Sequence, residues 1–245
     1  MGVLLTVAYD GTAYCGWQMQ ENAISIQEVL TNAISKAFSC KFSLLGASRT
    51  DAGVHALGQR AHLIMDEPSK ILTRKLPLVL NGHLPLDIRV MAASDVLDSF
   101  HPINDAKSKT YRYTINNNRY RNPLLRNFSA FVPMPLDTEK MAVAADFFLG
   151  EHDFAAFCAK GSIAKSTVRT VYTLDVTKQD DVVDITINGN GFLYNMVRII
   201  AGTLVNVGLG RIAPEDVRDV ILSRDRVRAG KTMQPQGLTL IEIFY

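Results

Sequence analysis

A chain of 245 residues is long enough for one large domain or two small ones, each burying a core of its own. With 47% hydrophobic and 20% charged residues and no run near the ~18 apolar residues of a membrane span, it reads as a folded globular protein, neither disordered nor membrane-spanning. The formal net charge of +2 is too mild to identify a nucleic-acid partner from totals alone. Cys15, Cys40 and Cys158 are odd in number and form no C-x-x-C pair, which excludes a disulfide framework and a zinc knuckle. The five histidines show no H-E-x-x-H or H-x-x-x-H spacing, so no metal is predicted. A strand-like segment starts almost at Met1 without a basic and then apolar leader, which predicts no signal peptide and a cytoplasmic protein.

In chain order, residues 3 to 9 read as a strand. Ser25-Ile26-Gln27-Glu28 is a capping box opening a helix whose apolar face is Ile26, Val29, Leu30, Ala33, Ile34 and Ala37. Strands are predicted over 41 to 47 and 58 to 65, a proline-interrupted helix over about 69 to 81, and a strand over 88 to 94. That order is βαββαβ. The second half repeats it: a strand near 110 to 115, a helix over 138 to 149 closed by Gly150, strands near 169 to 177 and 182 to 188, and a helix from about 195 to 207 stopped by Gly208 and Gly210. Pro214, Glu215 and Asp216 open an extra helix, since proline suits a first turn and acids suit its positive end. A strand over 238 to 244 closes the pattern. The predicted fold is α+β, two ferredoxin-like lobes over 1 to 105 and 106 to 245. With no low-complexity linker at the boundary, near 96 to 107, the lobes are expected to pack tightly.

Between Ala106 and Arg126 the chain carries six basic residues (Lys107, Lys109, Arg112, Arg119, Arg121, Arg126), no acidic ones and three tyrosines. With Lys160, Lys165 and Arg169, and with Arg224, Arg226, Arg228 and Lys231, this makes three basic clusters on a nearly neutral chain. Each cluster alone reads as a solvated surface face; the three together shift the reading toward a basic groove whose binding falls steeply with salt, with Lys107, Lys109, Arg112, Lys165 and Arg169 as contact candidates. Between the second and third strands the apolar rhythm gives way to Arg49, Thr50 and Asp51, then Gly53 and His55. Asp followed by Gly53 is ordinary turn chemistry, but this run is denser in polar groups than a turn requires.

Residues 49 to 56, Arg49-Thr50-Asp51-Ala52-Gly53-Val54-His55-Ala56, resemble in one uninterrupted block the tRNA pseudouridine synthase A family. The resemblance extends to Tyr9-Asp10-Gly11-Thr12, Gly16-Trp17-Gln18, Lys109-Thr110-Tyr111-Arg112-Tyr113, His152-Asp153-Phe154, Gly191-Phe192-Leu193 and Met196-Val197-Arg198. It implies a two-lobed catalytic domain with a central basic cleft, acting as a homodimer on uridines 38, 39 and 40 of the tRNA anticodon arm. The chain departs from the pattern at Pro102-Ile103, where a small residue and an arginine are usual, and at Met233-Gln234, within a run that is usually Thr-Ala-Pro.

Pseudouridine formation breaks the N1–C1′ bond, turns the base and rejoins it through C5. Asp51 fits three roles: attack on C1′, attack on the base, or removal of the C2′ proton. Each uses a carboxylate, for which an arginine is a fitting partner. Arg49 and Arg198 are both candidates for it; the resemblance, which places Arg198 at the active site, favours Arg198 for the pairing and leaves Arg49 to enter the RNA where a base is extruded, with Tyr111 stacking on the flipped uracil. Tyr113 shares its strand face by the period of two, so one of the two is open to reading as packing, and the resemblance favours Tyr111 for the base.

Two other chemistries fail on single residues. A strand ending in Asp10-Gly11-Thr12 suggests a haloacid-dehalogenase-type phosphatase, but Ala8 stands where the nucleophilic aspartate belongs. Asn188 to Gly191 hints at a dinucleotide loop, but Tyr194 replaces its third glycine, so no nucleotide cofactor is predicted. A non-catalytic module of two RNA-recognition lobes would have little use for Asp51 beside phosphates.

Overall fold

The computed structural model of the chain describes residues 2–21, 23–67 and 71–245. The fold is α+β, and the chain divides into two compact units, residues 1–107 with 239–245 and residues 108–238.

In the first unit, β1 (Gly2–Tyr9) is a near-continuous apolar run with Val3, Leu5 and Val7 fully buried, as befits a strand covered on both faces. Ser25 Oγ accepts the Glu28 amide at 3.2 Å and caps α1 (Ile26–Ala37), which buries Ile26, Leu30, Ala33 and Ile34, while Val29 and Ala37 flank that stripe half-exposed. β2 (Phe42–Gly46) pairs antiparallel with β3 (His55–Met65), in register from Phe42↔Met65 to Gly46↔Ala61. β3 begins three residues before the predicted strand, directly after the polar loop. The helix predicted from 69 is shorter: residues 69 and 70 lie outside the described residues, Thr73–Lys75 is a 3-10 turn, and α2 (Leu76–Asn81) follows with Pro77 in its first turn. β4 (Ile88–Val96) pairs with the free side of β1, giving the order β4-β1-β3-β2, the split βαβ arrangement.

The second unit follows the same logic. β5 (Ser108–Asn116) carries the parallel stub β6 (Ala130–Phe131). α3 (Thr138–Asp146) is capped by Asp137 and ends before Gly150, which has φ +92° and opens β7 (Gly150–Asp153). β8 (Val168–Gln179) and β9 (Val182–Gly189) form a hairpin, and β5, β9, β8 and β7 pair antiparallel in that order. β6 and β7 escape sequence reading because one is two residues long and the other is mostly polar. α4 (Met196–Gly208) is buried at every position except Arg198 and Asn206, and α5 (Asp216–Ser223) is the extra helix. No helix among the described residues is long and apolar enough to cross a membrane.

The closing strand β10 (Leu238–Phe244), whose residues from Thr239 onward group with the first unit, runs parallel to β3 through Thr239↔His55 and Leu240↔Ala56. Its end is tied there too, since Phe244 O accepts the Lys107 amide at 2.8 Å. Tyr245 packs edge-on to Phe100 and donates to Pro102 O at 3.0 Å. Leu240 is fully buried. Leu240→Ala is therefore expected to cost about 2–5 kcal/mol, read as a lower denaturant midpoint at unchanged slope.

Candidate active site

The polar loop is held from below by the segment that follows β1. Tyr9, 4% exposed, places its hydroxyl 2.8 Å from Thr50 Oγ1. Trp17, buried beside the Tyr9 ring at 6.2 Å between centroids, donates its amide to Thr50 O at 3.0 Å. Beyond Asp51, the Gly53 amide donates to Tyr14 O and the Val54 amide closes a turn onto Asp51 O at 3.1 Å. The loop is thus gripped on both sides of Asp51. Two glycines make the grip possible. Gly16 has φ +99°, and a Cβ there would lie 2.4 Å from Thr50 O; a Cβ at Gly11 would lie 2.0 Å from Val54 O.

A second set of contacts fixes where the loop leaves the sheet. Gln59 is fully buried and its carboxamide is saturated: Nε2 donates to Ser48 O at 2.7 Å and to the Tyr9 hydroxyl at 3.4 Å, and Oε1 accepts the Ser48 and Arg60 amides. Buried His55 accepts the Gly11 amide at Nδ1, 3.0 Å away. Asp10 Oδ1 lies 3.2 Å from the same nitrogen while accepting the Thr12 amide and hydroxyl. A backbone N–H can only donate, so Nδ1 is the acceptor of the Gly11 amide, with the Asp10 carboxylate close beside it. Tyr14 reaches Asp87 Oδ1 at 2.8 Å, and burial together with that carboxylate raises its pKa. Within this frame Asp51 is half-buried and Arg49 is exposed on the same loop.

The other predicted residues lie in the second unit. Tyr111 on β5 is 6% exposed and meets Phe192 edge-on at 5.2 Å. Tyr113, fully buried, donates its hydroxyl to Gln234 O at 2.7 Å, and burial raises its pKa. Arg198 is the charged residue of an otherwise apolar helix. Its Nε donates to Met233 O at 2.7 Å and Nη1 to Asn195 Oδ1 at 2.5 Å, where Asn195 sits left-handed at φ 61° ahead of α4. Arg198 and Tyr113 are thus set by consecutive carbonyls of one strap. The strap is anchored upstream, because Thr203 Oγ1 on α4 accepts the Gly230 amide at 2.8 Å and Arg226 reaches Gly230 O and Thr232 Oγ1.

Of the basic candidates, Lys107 and Lys165 are exposed, and Lys109, Arg112 and Arg169 half-buried. Arg169 Nη1 folds onto the carbonyls of Ser166 and Val168. Arg112 and Lys109 leave β5 on opposite faces. Burial pushes the Lys109 ammonium down to about 8. Sequence reasoning gave no role to Tyr9, Tyr14, Gln59 or the carbonyls of Met233 and Gln234. The glycines at 11 and 16 were the available signal for the first group; main-chain acceptors leave none.

The family described as tRNA pseudouridine synthase matches residues 5–103 and 144–245. Relatives called tRNA pseudouridine synthase A are 51% identical in Thermoanaerobacter sp. (strain X514), 45% in Caldicellulosiruptor saccharolyticus and 46% in Geotalea daltonii, each alignment covering 99% of both chains. A chain of a crystal structure of a Cbf5-Nop10-Gar1 complex aligns with 97% of this chain and 48% of its own length at 13% identity and a TM-score of 0.40, a likeness too low to bear on the assignment. The family match and these relatives, which cover most of the chain, make it an RNA-uridine-modifying isomerase. The chain belongs to the tRNA pseudouridine synthase family.

Gly16→Ala is expected to displace the loop without unfolding the unit: pseudouridine formation falls about 10²-fold while thermal unfolding stays cooperative. Gln59→Leu strands the Ser48 amide and carbonyl and is expected to cost about 1–3 kcal/mol in chemical denaturation.

Proposed function

We propose that this chain converts uridine to pseudouridine at positions 38, 39 and 40 of the tRNA anticodon arm, working in the cytoplasm as a homodimer, with Asp51 at the reacting centre. The observation that carries this reading is the clamp on the Arg49–Asp51 loop: Tyr9 and Trp17 fix Thr50 while Tyr14 fixes Gly53, which holds a carboxylate at a set position on a rigid sheet end. A turn that only reversed the chain would not need such support. In this reading Asp51 serves as nucleophile or base, and Arg49, exposed beside it, enters the RNA as the target base swings out. Tyr111 is the floor on which the uracil stacks. Arg198 pairs with Asp51, and the carbonyl of Met233 and the amide oxygen of Asn195 orient its guanidinium plane for that task. Lys107, Arg112, Lys165 and Arg169 supply phosphate contacts.

The test uses unmodified tRNA transcripts with uridine in the anticodon arm, no added metal or nucleotide, and pseudouridine mapped by chemical sequencing. Wild type should modify that arm, while Asp51→Ala and Asp51→Asn bind tRNA and form none; binding without modification by wild type would sink the enzyme reading. Arg198→Ala should lose turnover by about 10²-fold or more, and undiminished turnover would remove its pairing with Asp51. Neutralising Lys165 should lower the salt slope of tRNA binding by about one unit.

A further inference from the structure

Lys109 was grouped with the phosphate contacts by its place in a basic run, yet its surroundings differ from theirs. On β5 the side chains of Lys109, Tyr111 and Tyr113 share one face, and Ser108, Thr110, Arg112 and Thr114 share the other. The second face is hydrogen-bonded and polar: Asn188 Nδ2 donates to Ser108 Oγ and Thr110 Oγ1, and Thr114 donates to Asp184. The first face is aromatic, with Tyr111 and Tyr113 buried and Phe192 edge-on to Tyr111. The cross-strand partner of Lys109 is Gly189, which places no side chain beside it. There is no room for one, since a Cβ at Gly189 would come within 2.7 Å of Thr170 O and 3.3 Å of Phe192 Cζ. Same-face neighbours on a strand stand about 6.6 Å apart, a gap the four-carbon lysine stem spans. The amine of Lys109 is therefore within reach of a base stacked on Tyr111.

We propose that Lys109 is a further catalytic residue, the amine that removes the C5 proton of the target base once the new bond to ribose has formed. This rests on the reading of Tyr111 as the floor for the flipped uracil. When N1–C1′ has broken and C5–C1′ has formed, C5 carries both its original hydrogen and the sugar carbon, and the ring holds an N1–C6 double bond. The neutral amine takes the hydrogen as a proton, and the C5–H electron pair becomes the C5–C6 double bond. The former N1–C6 pair moves to N1, which takes one proton from solvent, and the lysine ammonium returns its own to solvent. The sum is an isomerisation with no other reactant. The lowered ammonium value, about 8, suits the step: at neutral pH roughly one molecule in ten holds the neutral amine, far more than for an exposed lysine, and a base near the working pH is the efficient one.

The experiment compares single-turnover rates on tRNA transcripts carrying ordinary uridine and uridine deuterated at C5, for wild type, Lys109→Gln and Lys109→Arg. Wild type should form pseudouridine with little isotope effect. Both variants should bind tRNA, turn over about 10²–10⁴-fold more slowly, and show a primary isotope effect, because loss of the C5 proton has become limiting. Lys109→Arg keeps length and charge, so it separates the possibilities. Restoration of the wild-type rate by arginine, or slow variants without an isotope effect, overturns the assignment and returns Lys109 to phosphate contact or support. A wild type that forms no pseudouridine sinks the functional reading itself, and this inference with it; an active wild type with a fully active Lys109→Arg sinks the role of Lys109 alone.

Discussion

The close approach of the segment after β1 to the loop before β3 is the contact on which the position of the Arg49–Asp51 loop depends. Where Gly11 meets Val54 and Gly16 meets Thr50, main chain lies against main chain with no space for a β-carbon. That proximity lets the Trp17 amide reach Thr50 O and the Gly53 amide reach Tyr14 O, so the two segments satisfy one another's backbone groups in place of water. Tyr9 and Gln59 then complete a buried network in which each polar atom of the Gln59 carboxamide is used. A fully satisfied network of this kind specifies one arrangement, because any shift leaves a buried donor or acceptor without a partner. Rigidity at Asp51 is thus a property of residues forty positions away in the chain.

The second unit reaches the same end by other means. α4 is apolar nearly all round and lies in the core, so a charge placed on it must be supplied with partners. Met233 O and Asn195 Oδ1 do this for Arg198, and Gln234 O does it for the buried hydroxyl of Tyr113. The strap that brings these carbonyls is itself pinned by Thr203 and Arg226. One strand, β5, sorts its side chains by parity into a polar face and an aromatic one, and this separates Lys109 from Arg112 although both stand in one basic run.

Much of this was legible in the sequence where local chemistry is strong. The Ser25 cap and the spacing of Ile26, Leu30 and Ile34 located α1, and Gly150, Pro214 and Gly210 marked real boundaries. The polar density of residues 49 to 55 singled out the loop. β7 was illegible because four mostly polar residues carry no alternation. The parallel pairing of β10 with β3 was illegible because a strand's partners are a long-range property, and alternation alone is the same whichever neighbour it pairs with. The half-burial of Lys109 was illegible for the same reason: a run of cations states composition, while burial depends on which face of a strand each one leaves from.

The two departures from the family pattern share a feature. Pro102 is used through its carbonyl, which accepts the Tyr245 hydroxyl, and Met233 and Gln234 are used through theirs. A carbonyl belongs to the main chain and is supplied by every amino acid, so these positions can change identity while the oxygen that matters stays in place. Gln234 is exposed and is held only to that oxygen, whereas the buried side chains of Pro102 and Met233 must also fit what packs around them. Pro235 and Gly237 shape the turn that follows those oxygens.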